Sequence, residues 1–223
     1  MPALSKDVFR FFSELEGNNT REWFEPQKAR FKGLEAEVKL LANGLVDLMN
    51  QHDTIDRFKL FRVYRDVRFS KDKTPYKTHF GISFHREKPA LRGGYYLHIK
   101  PKNTFVATGF WNPNKEDLYR IRKEMEIDAD EFREIMQEKE FSAVWGTLEG
   151  EEVKTAPKGF SKEDSSIDLI RKKAYLFTKK YSDDEALSPN FITQINADFQ
   201  AVRPFFDYMS SILTTDLNGV SLL

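Results

Sequence analysis

Residues 78–111, THFGISFHREKPALRGGYYLHIKPKNTFVATGFW, decide the fold, because apolar and polar side chains alternate along them. Such alternation is typical of β-strands that bury one face. It predicts three strands, at about 78–86, 94–100 and 104–111. The connections are short and contain Gly, Pro and Asn, which favours an antiparallel meander over parallel strands.

Two more strands are predicted outside this stretch. Residues 58–67 alternate in the same way before the meander, and residues 175–181 do so after it. The segments between and around the strands carry apolar side chains spaced by three and four, as amphipathic helices do. The sequence therefore predicts an α+β fold, an antiparallel sheet of about four to six strands with helices packed on one face.

Prolines and capping residues predict where two helices stop or start. Asn19, with Glu22 three residues later, predicts a new helix start, and Pro26 is expected to close that short segment before a long helix. Near the C-terminus, Pro204 is expected to kink or break the final helix.

Length and composition predict one domain over residues 1–223. Its parts would be N-terminal helices at 5–50, a sheet-forming core at 57–111 and a helical and mixed part at 114–223. Cysteine is absent, which excludes disulfides and thiolate chemistry and fits a reducing compartment. The chain shows no signal-peptide pattern and no apolar run approaching a membrane span. We therefore expect a cytoplasmic protein without a membrane partner.

Charge is segregated along the chain although the formal net charge is zero. Residues 56–102 contain thirteen Lys and Arg against four Asp and Glu, whereas residues 124–152 contain eleven acids against two bases. The basic segment is thus expected either to hold an anionic ligand or to face the acidic segment. The sequence leaves both readings open.

The most chemically loaded run is residues 62–77, RVYRDVRFSKDKTPYK, an arginine-rich motif. If the strand predicted at 58–67 continued, Arg62, Asp66 and Arg68 would share a polar face, and Phe69 would lie on the core face. Arg65 would fall on the apolar side, so it must pair with a buried carboxylate or lie beyond the strand. Guanidinium groups suit bidentate contact with carboxylate or phosphate.

Two histidines extend this face onto the next strands and are the candidates for proton transfer. His79 and His98 alternate with apolar neighbours, and imidazole titrates near neutral pH. Asp66 is the third candidate catalytic residue, and it is expected to orient Arg because neighbouring positive charge lowers the pKa of its carboxyl. The candidate ligand-binding residues are Arg62, Arg65, Arg68, Lys73, Tyr76 and Tyr96.

Known motifs for nucleotide binding, metal binding and nucleophilic catalysis are missing from the sequence. It has no P-loop, G-x-G-x-x-G, H-E-x-x-H, EF-hand loop or G-x-S-x-G. A metal site built from His79, His98 and a carboxylate would be unspecific. We predict no cofactor and no metal.

Three hypotheses of function remain. The first is a binding or catalytic site for a small anionic, or phosphorylated, ligand. The second is a structural network of Arg, Asp and Lys ion pairs, with function residing in a protein partner. The third is a module for single-stranded nucleic acid, with Tyr64, Tyr76, Tyr95 and Tyr96 as stacking groups. The zero net charge counts against the third.

The run 62–77 also carries a resemblance to a known family. It reads R-x-x-R-D-x-R-F followed by D-K-x-P-Y, and further matching positions are Asn18-Asn19, Trp23-Phe24, Gly94 to Ile99, Gly109 to Trp111, Pro113, Arg122 and Pro157 to Gly159. Over most of its length the chain resembles the bacterial and fungal family called domain of unknown function 2461. The resemblance implies one domain with the arginine-rich run as its signature. It implies no catalytic residue, because none is established for that family.

Overall fold

The computed structural model describes residues 3–223, so Met1 and Pro2 of the predicted domain 1–223 lie outside the described residues. The helices are α1 (Lys6–Gly17), α2 (Arg21–Met49), α3 (Lys115–Ile127), α4 (Asp130–Gln137), α5 (Lys139–Trp145), α6 (Ile167–Ile170), α7 (Asp183–Ala186), α8 (Phe191–Ala201) and α9 (Arg203–Thr214). The strands are β1 (Ile55–Leu60), β2 (Phe80–Arg86), β3 (Gly94–Ile99), β4 (Thr104–Phe110) and β5 (Tyr175–Tyr181). Within residues 3–223, every helix is too short or too polar to cross a membrane.

The strands form one antiparallel sheet in the order β1-β2-β3-β4-β5. Strands β2, β3 and β4 are the meander predicted from residues 78–111, and β5 has the predicted bounds. Local alternation and short connections were sufficient here, because neighbouring strands in a meander need no long crossover. The predicted α+β class and the predicted number of strands are confirmed.

The chain divides into two compact units. Unit 1 contains the residues up to Phe84 together with Tyr96–Val106 and Lys180–Ala197. Unit 2 contains His85–Tyr95, Ala107–Lys179 and Asp198–Leu223. The single domain over the whole chain stays a prediction beside this division.

The core of unit 1 is a cluster of phenylalanine rings from α1, α2 and β2. The Phe12 ring meets the Phe80 ring edge-on with their centroids 4.9 Å apart, and Phe31 stacks on Phe80 at 5.6 Å. Phe11 and Phe24 extend the cluster along the helices. Each buried ring stabilises the fold by about 1.5–3 kcal/mol, so α1 and α2 are held on the face of β2 that carries Phe80.

The break predicted at Pro26 is wrong, because α2 runs without interruption from Arg21 to Met49. Thr20, rather than Asn19, caps it, and its side chain accepts a hydrogen bond from the Trp23 backbone. A proline this close to a helix start removes one backbone hydrogen bond. Keeping the helix intact places Phe24 and Phe31 with their rings 5.4 Å apart in the core, which offsets that loss.

The core of unit 2 is a second aromatic cluster. The Phe205 ring lies 5.2 Å from Phe177 and 5.9 Å from Phe132, while Phe206 meets Tyr95 at 5.0 Å. The predicted break at Pro204 is confirmed, since α8 ends at Ala201 and Pro204 occupies the first turn of α9. There the missing N–H costs nothing, because first-turn amides have no partner within the helix.

The strand predicted at 58–67 is wrong in its second half, because β1 ends at Leu60. Beyond Phe61 the backbone no longer pairs with β2. It pairs instead with residues 75–77, further along the sequence. The Lys77 amide donates to the Val63 carbonyl at 2.7 Å, and the Arg65 amide donates to the Pro75 carbonyl at 2.9 Å. Residues 62–77 therefore form a loop closed at its base, which we call the basic loop.

Candidate functional site

The basic loop borders a cavity of about 670 Å³ in unit 1. We call it the polar cavity. Its walls are the loop residues Arg65, Asp66, Asp72, Thr74, Tyr76 and Lys77, with Thr78 and His79 ahead of β2, Lys100 after β3, and Glu16 and Asn19 at the α1–α2 junction. The volume lies within the range of about 300–1,000 Å³ that is usual for small-molecule sites.

Asn19 ties the end of the basic loop to the junction of α1 and α2. Its side-chain amide donates to the Tyr76 carbonyl at 2.9 Å, and its side-chain oxygen accepts from the Tyr76 amide at 3.1 Å. The Tyr76 ring is only 2% exposed and stacks on Phe24 with a centroid separation of 4.0 Å. The position of the loop is thus set by one polar clamp and one buried ring.

We expect Asn19→Ala to lower the free energy of unfolding by about 2 kcal/mol, because two backbone groups of a buried residue lose their partners. The looser loop should also be cut faster by trypsin within residues 62–77. Urea unfolding and limited proteolysis measure both effects. Asn43→Ala is the control, because Asn43 makes one exposed bond to Lys39 on α2. Equal behaviour of the two variants would contradict the clamp.

Arg65 lies beyond the end of β1 and pairs with a carboxylate inside the loop. Its Nη1 donates to Asp72 and, at 2.8 Å, to the Thr74 hydroxyl. Asp72 also accepts from the Thr74 amide at 2.9 Å. These bonds, those from Thr74 first and that from Arg65 next, lower the pKa of Asp72 to about 2. The carboxylate is therefore charged at neutral pH and holds Arg65 at the wall of the cavity.

Asp66 is held by Arg68 in a second ion pair of the loop. Arg68 Nη2 donates to the Asp66 carboxylate at 2.6 Å and Nε does so at 3.0 Å. This contact lowers the pKa of Asp66, with a smaller contribution from the charge of Arg62. The direction matches the one expected from the sequence. Asp66 lines the cavity, and Arg68 does not.

The tip of the loop differs from the sequence interpretation. Phe69, expected on the core face, is 98% exposed, because the strand that would have buried it has ended. The exposed Lys73 donates from Nζ to the Val67 carbonyl at 2.9 Å, a contact within the loop, and it does not line the cavity.

Lys77 is the cavity cation that differs from the others. It is half-buried, and its Nζ lies 5.5 Å from the centroid of the Phe61 ring. No carboxylate or hydrogen-bond acceptor contacts this Nζ among residues 3–223, whereas Lys100 Nζ pairs with Glu16 at 2.7 Å. Burial first, and then the charges of Arg62, Arg65 and Lys59, lower the pKa of Lys77.

The two histidines, which the sequence interpretation put on one face of neighbouring strands, lie against each other, but only one of them lines the cavity. The rings of His79 and His98 have centroids 4.1 Å apart, and His98 also stacks on Phe105 at 4.6 Å. The Tyr96 hydroxyl is within 3.2 Å of His98 Nδ1. Burial, reinforced by neighbouring positive charge, lowers the pKa of His79 to about 4 and that of His98 to about 3. Both imidazoles are neutral at pH 7.

Some of the predicted site residues therefore line the cavity, and others do not. Arg65, Asp66, Tyr76 and His79 line it, and Arg62, Arg68, Lys73, Tyr96 and His98 do not. Arg62 is exposed beside it, close enough for its charge to act on Asp66 and Lys77. Sequence reasoning missed Glu16, Asn19, Asp72, Thr74, Lys77, Thr78 and Lys100 as cavity residues. The position of Lys77 and Thr78 directly before His79, which the sequence interpretation had already selected, was a usable signal.

Fold and cavity together define a class: an α+β protein with a charged cavity beside an antiparallel sheet, without a metal cluster of three or more His, Asp or Glu in the described part of the chain. The chain belongs to the family of conserved hypothetical proteins DUF2461, whose model matches residues 7–208. Comparisons with curated proteins and with solved structures give no match.

Proposed function

We propose that the polar cavity binds a small anionic ligand, with phosphorylated compounds as the leading class. Lys77, Arg65 and Lys100 supply the positive charge, and Thr74 and Thr78 also line the cavity. Ammonium and guanidinium groups bind phosphate and carboxylate through charge-assisted hydrogen bonds.

The uncompensated charge of Lys77 carries this proposal. Each carboxylate of the cavity already has a cationic partner: Asp72 pairs with Arg65, Asp66 with Arg68 and Glu16 with Lys100. Lys77 is left with a ring as its neighbour and three further cations nearby. The positive charges of Lys77 and these cations repel one another. An anion bound among them relieves this repulsion, so the cavity favours a negatively charged ligand.

Arg65 retains donors for the same anion. Its Nη1 serves Asp72 and Thr74, while Nε and Nη2 have no acceptor within residues 3–223. Arg65 is thus already oriented by the loop, and an anion bound to its free edge would lose little side-chain entropy.

The alternative of a structural ion-pair network is supported by the pairs inside the loop. It accounts for Arg68 with Asp66 and for Arg65 with Asp72. It does not account for Lys77. Base stacking in the nucleic-acid alternative loses two of its candidates, because Tyr76 and Tyr95 are 2% and 1% exposed.

The experiment is a thermal-shift and calorimetric titration with inorganic phosphate, at constant ionic strength maintained with sodium chloride. A saturable rise in melting temperature is expected, because a ligand of the native state stabilises it. Lys77→Met should weaken phosphate binding by about tenfold or more, since a hydrogen bond to a charged group contributes about 1.5–3 kcal/mol.

Lys59→Met is the matched control. Lys59 lies over the same Phe61 ring, at 5.4 Å, but does not line the cavity. Because Lys59 adds only to the positive charge around Lys77, Lys59→Met should weaken phosphate binding much less than Lys77→Met does. An unsaturable response in the parent, or equal losses in the two variants, would overturn the proposal.

A further inference from the structure

We infer that Lys77 forms an imine with its ligand, so that the substrate of the polar cavity is a small aldehyde or ketone bearing an anionic group. This inference rests on the proposed anion-binding function and deepens it. The reacting atom is Nζ of Lys77.

The surroundings of Lys77 are those of a nucleophilic amine. An ammonium group that pairs with a carboxylate keeps its proton, as Lys100 does beside Glu16. Lys73 also has a partner, because its Nζ donates to the Val67 carbonyl. Lys77 Nζ has no such partner in the described chain and borders an open cavity. Its neighbours are an apolar ring and the cations Arg62, Arg65 and Lys59. An apolar contact and nearby cations both favour the neutral amine, which is the form that attacks a carbonyl.

His79 supplies the proton transfers. It lines the same cavity two residues further along the chain. Because this imidazole is neutral at pH 7, it can accept a proton as well as pass one on.

The step balances without an oxidant or reductant. The amine lone pair of Lys77 forms a bond to the carbonyl carbon, and the carbonyl π electrons move to oxygen. The imidazole carries a proton from nitrogen to that oxygen, giving a carbinolamine. The imidazole then carries the remaining nitrogen proton to the hydroxyl, the C–O bond breaks as water leaves, and the nitrogen lone pair forms the C=N bond of the imine.

Arg65 and Lys100 would hold the anionic group of the same molecule. Arg65, whose Nε and Nη2 have no acceptor within residues 3–223, lines the cavity, and so does Lys100. A cation that holds the anion and an amine that attacks the carbonyl require two separate functional groups on one ligand. Inorganic phosphate has no carbonyl group for the Lys77 amine to attack.

The test uses pyridoxal 5′-phosphate, a phosphorylated aldehyde, with sodium borohydride to reduce any imine formed at pH 7. Peptide mass mapping locates the reduced adduct. We expect substoichiometric probe to modify Lys77 ahead of the other lysines, and inorganic phosphate to protect it. Lys77→Arg keeps the charge but cannot form an imine, so its labelling should be lost while phosphate still raises its melting temperature. Lys59→Arg should be labelled as the parent is.

The outcomes separate the two proposals. Selective, phosphate-protected labelling of Lys77 supports both. Saturable phosphate binding without labelling of Lys77, or labelling spread evenly over the lysines, overturns the imine and leaves the anion site standing. Labelling of Lys77 that phosphate does not diminish, together with no phosphate binding, overturns the anion site and shows only a reactive amine.

Discussion

Gly109→Ala is expected to lower the free energy of unfolding by about 4 kcal/mol, as the sum of backbone strain and overpacking. Gly109 lies in β4 with φ of +128°, a conformation that side chains with a Cβ rarely adopt. An added Cβ would lie 2.0 Å from the Tyr175 carbonyl oxygen and 3.1 Å from Leu176 Cα. Both contacts are backbone atoms of β5, which cannot rotate away. The two strands would have to separate.

Urea unfolding followed by circular dichroism measures this loss. Gly33→Ala is the control, because Gly33 lies in the interior of α2 with nothing within 4 Å of an added Cβ. Alanine there should stabilise the helix by about 0.5–1 kcal/mol. The free energy of unfolding is thus expected to fall in Gly109→Ala and to rise in Gly33→Ala. A Gly109→Ala protein as stable as the parent would refute the close approach of β4 and β5.

The second large effect is a loss of stability as the pH falls from 7 to 5. His79 and His98 have native pKa values of about 4 and about 3, below the ordinary value of 6.5. Between these values the unfolded chain binds more protons than the native protein, so stability rises with pH and is lost as pH falls. For His98, which is 9% exposed, linkage gives about 2 kcal/mol between pH 7 and 5. The half-buried His79 adds less, because solvent screens its charge.

Urea unfolding at several pH values between 5 and 7 measures this dependence. The double variant His79→Gln, His98→Gln should show a flatter dependence even if it is less stable at every pH, because glutamine does not titrate. The carboxylate Asp72 stays charged throughout this range, since its pKa is about 2. A double variant with the same slope as the parent would mean that other groups cause the pH response.

The meander could be predicted because its information is local. Phe80, Ile82 and Phe84 are buried on alternate positions of β2, and the next strand follows after a short connection. Two errors had a tertiary cause. The break predicted at Pro26 is absent, because packing of Phe24 and Phe31 in the core keeps α2 helical there. The backbone bonds from Lys77 to Val63 and from Arg65 to Pro75 draw the chain out of β1.

The candidate site could be predicted in part. The sequence interpretation put His79 and His98 on one face of the sheet and expected a lowered pKa for Asp66, because both follow from residue type and strand alternation. It assigned Arg68 to the ligand, yet Arg68 is held by Asp66 and does not line the cavity. It took Asn19 for a helix start and did not place it at the site, because the contact of Asn19 with Tyr76 joins residues 57 positions apart.

The amino-acid sequence by itself determined the family, the α+β class, the meander and the chemical character of the basic loop. Each of these depends on residue type and on spacing over a few positions. Only the tertiary structure decided which cations find carboxylates and which one, Lys77, is left facing the cavity. Ion pairing depends on distances of a few ångströms between atoms that are often far apart along the chain, and such distances exist only once the chain has folded.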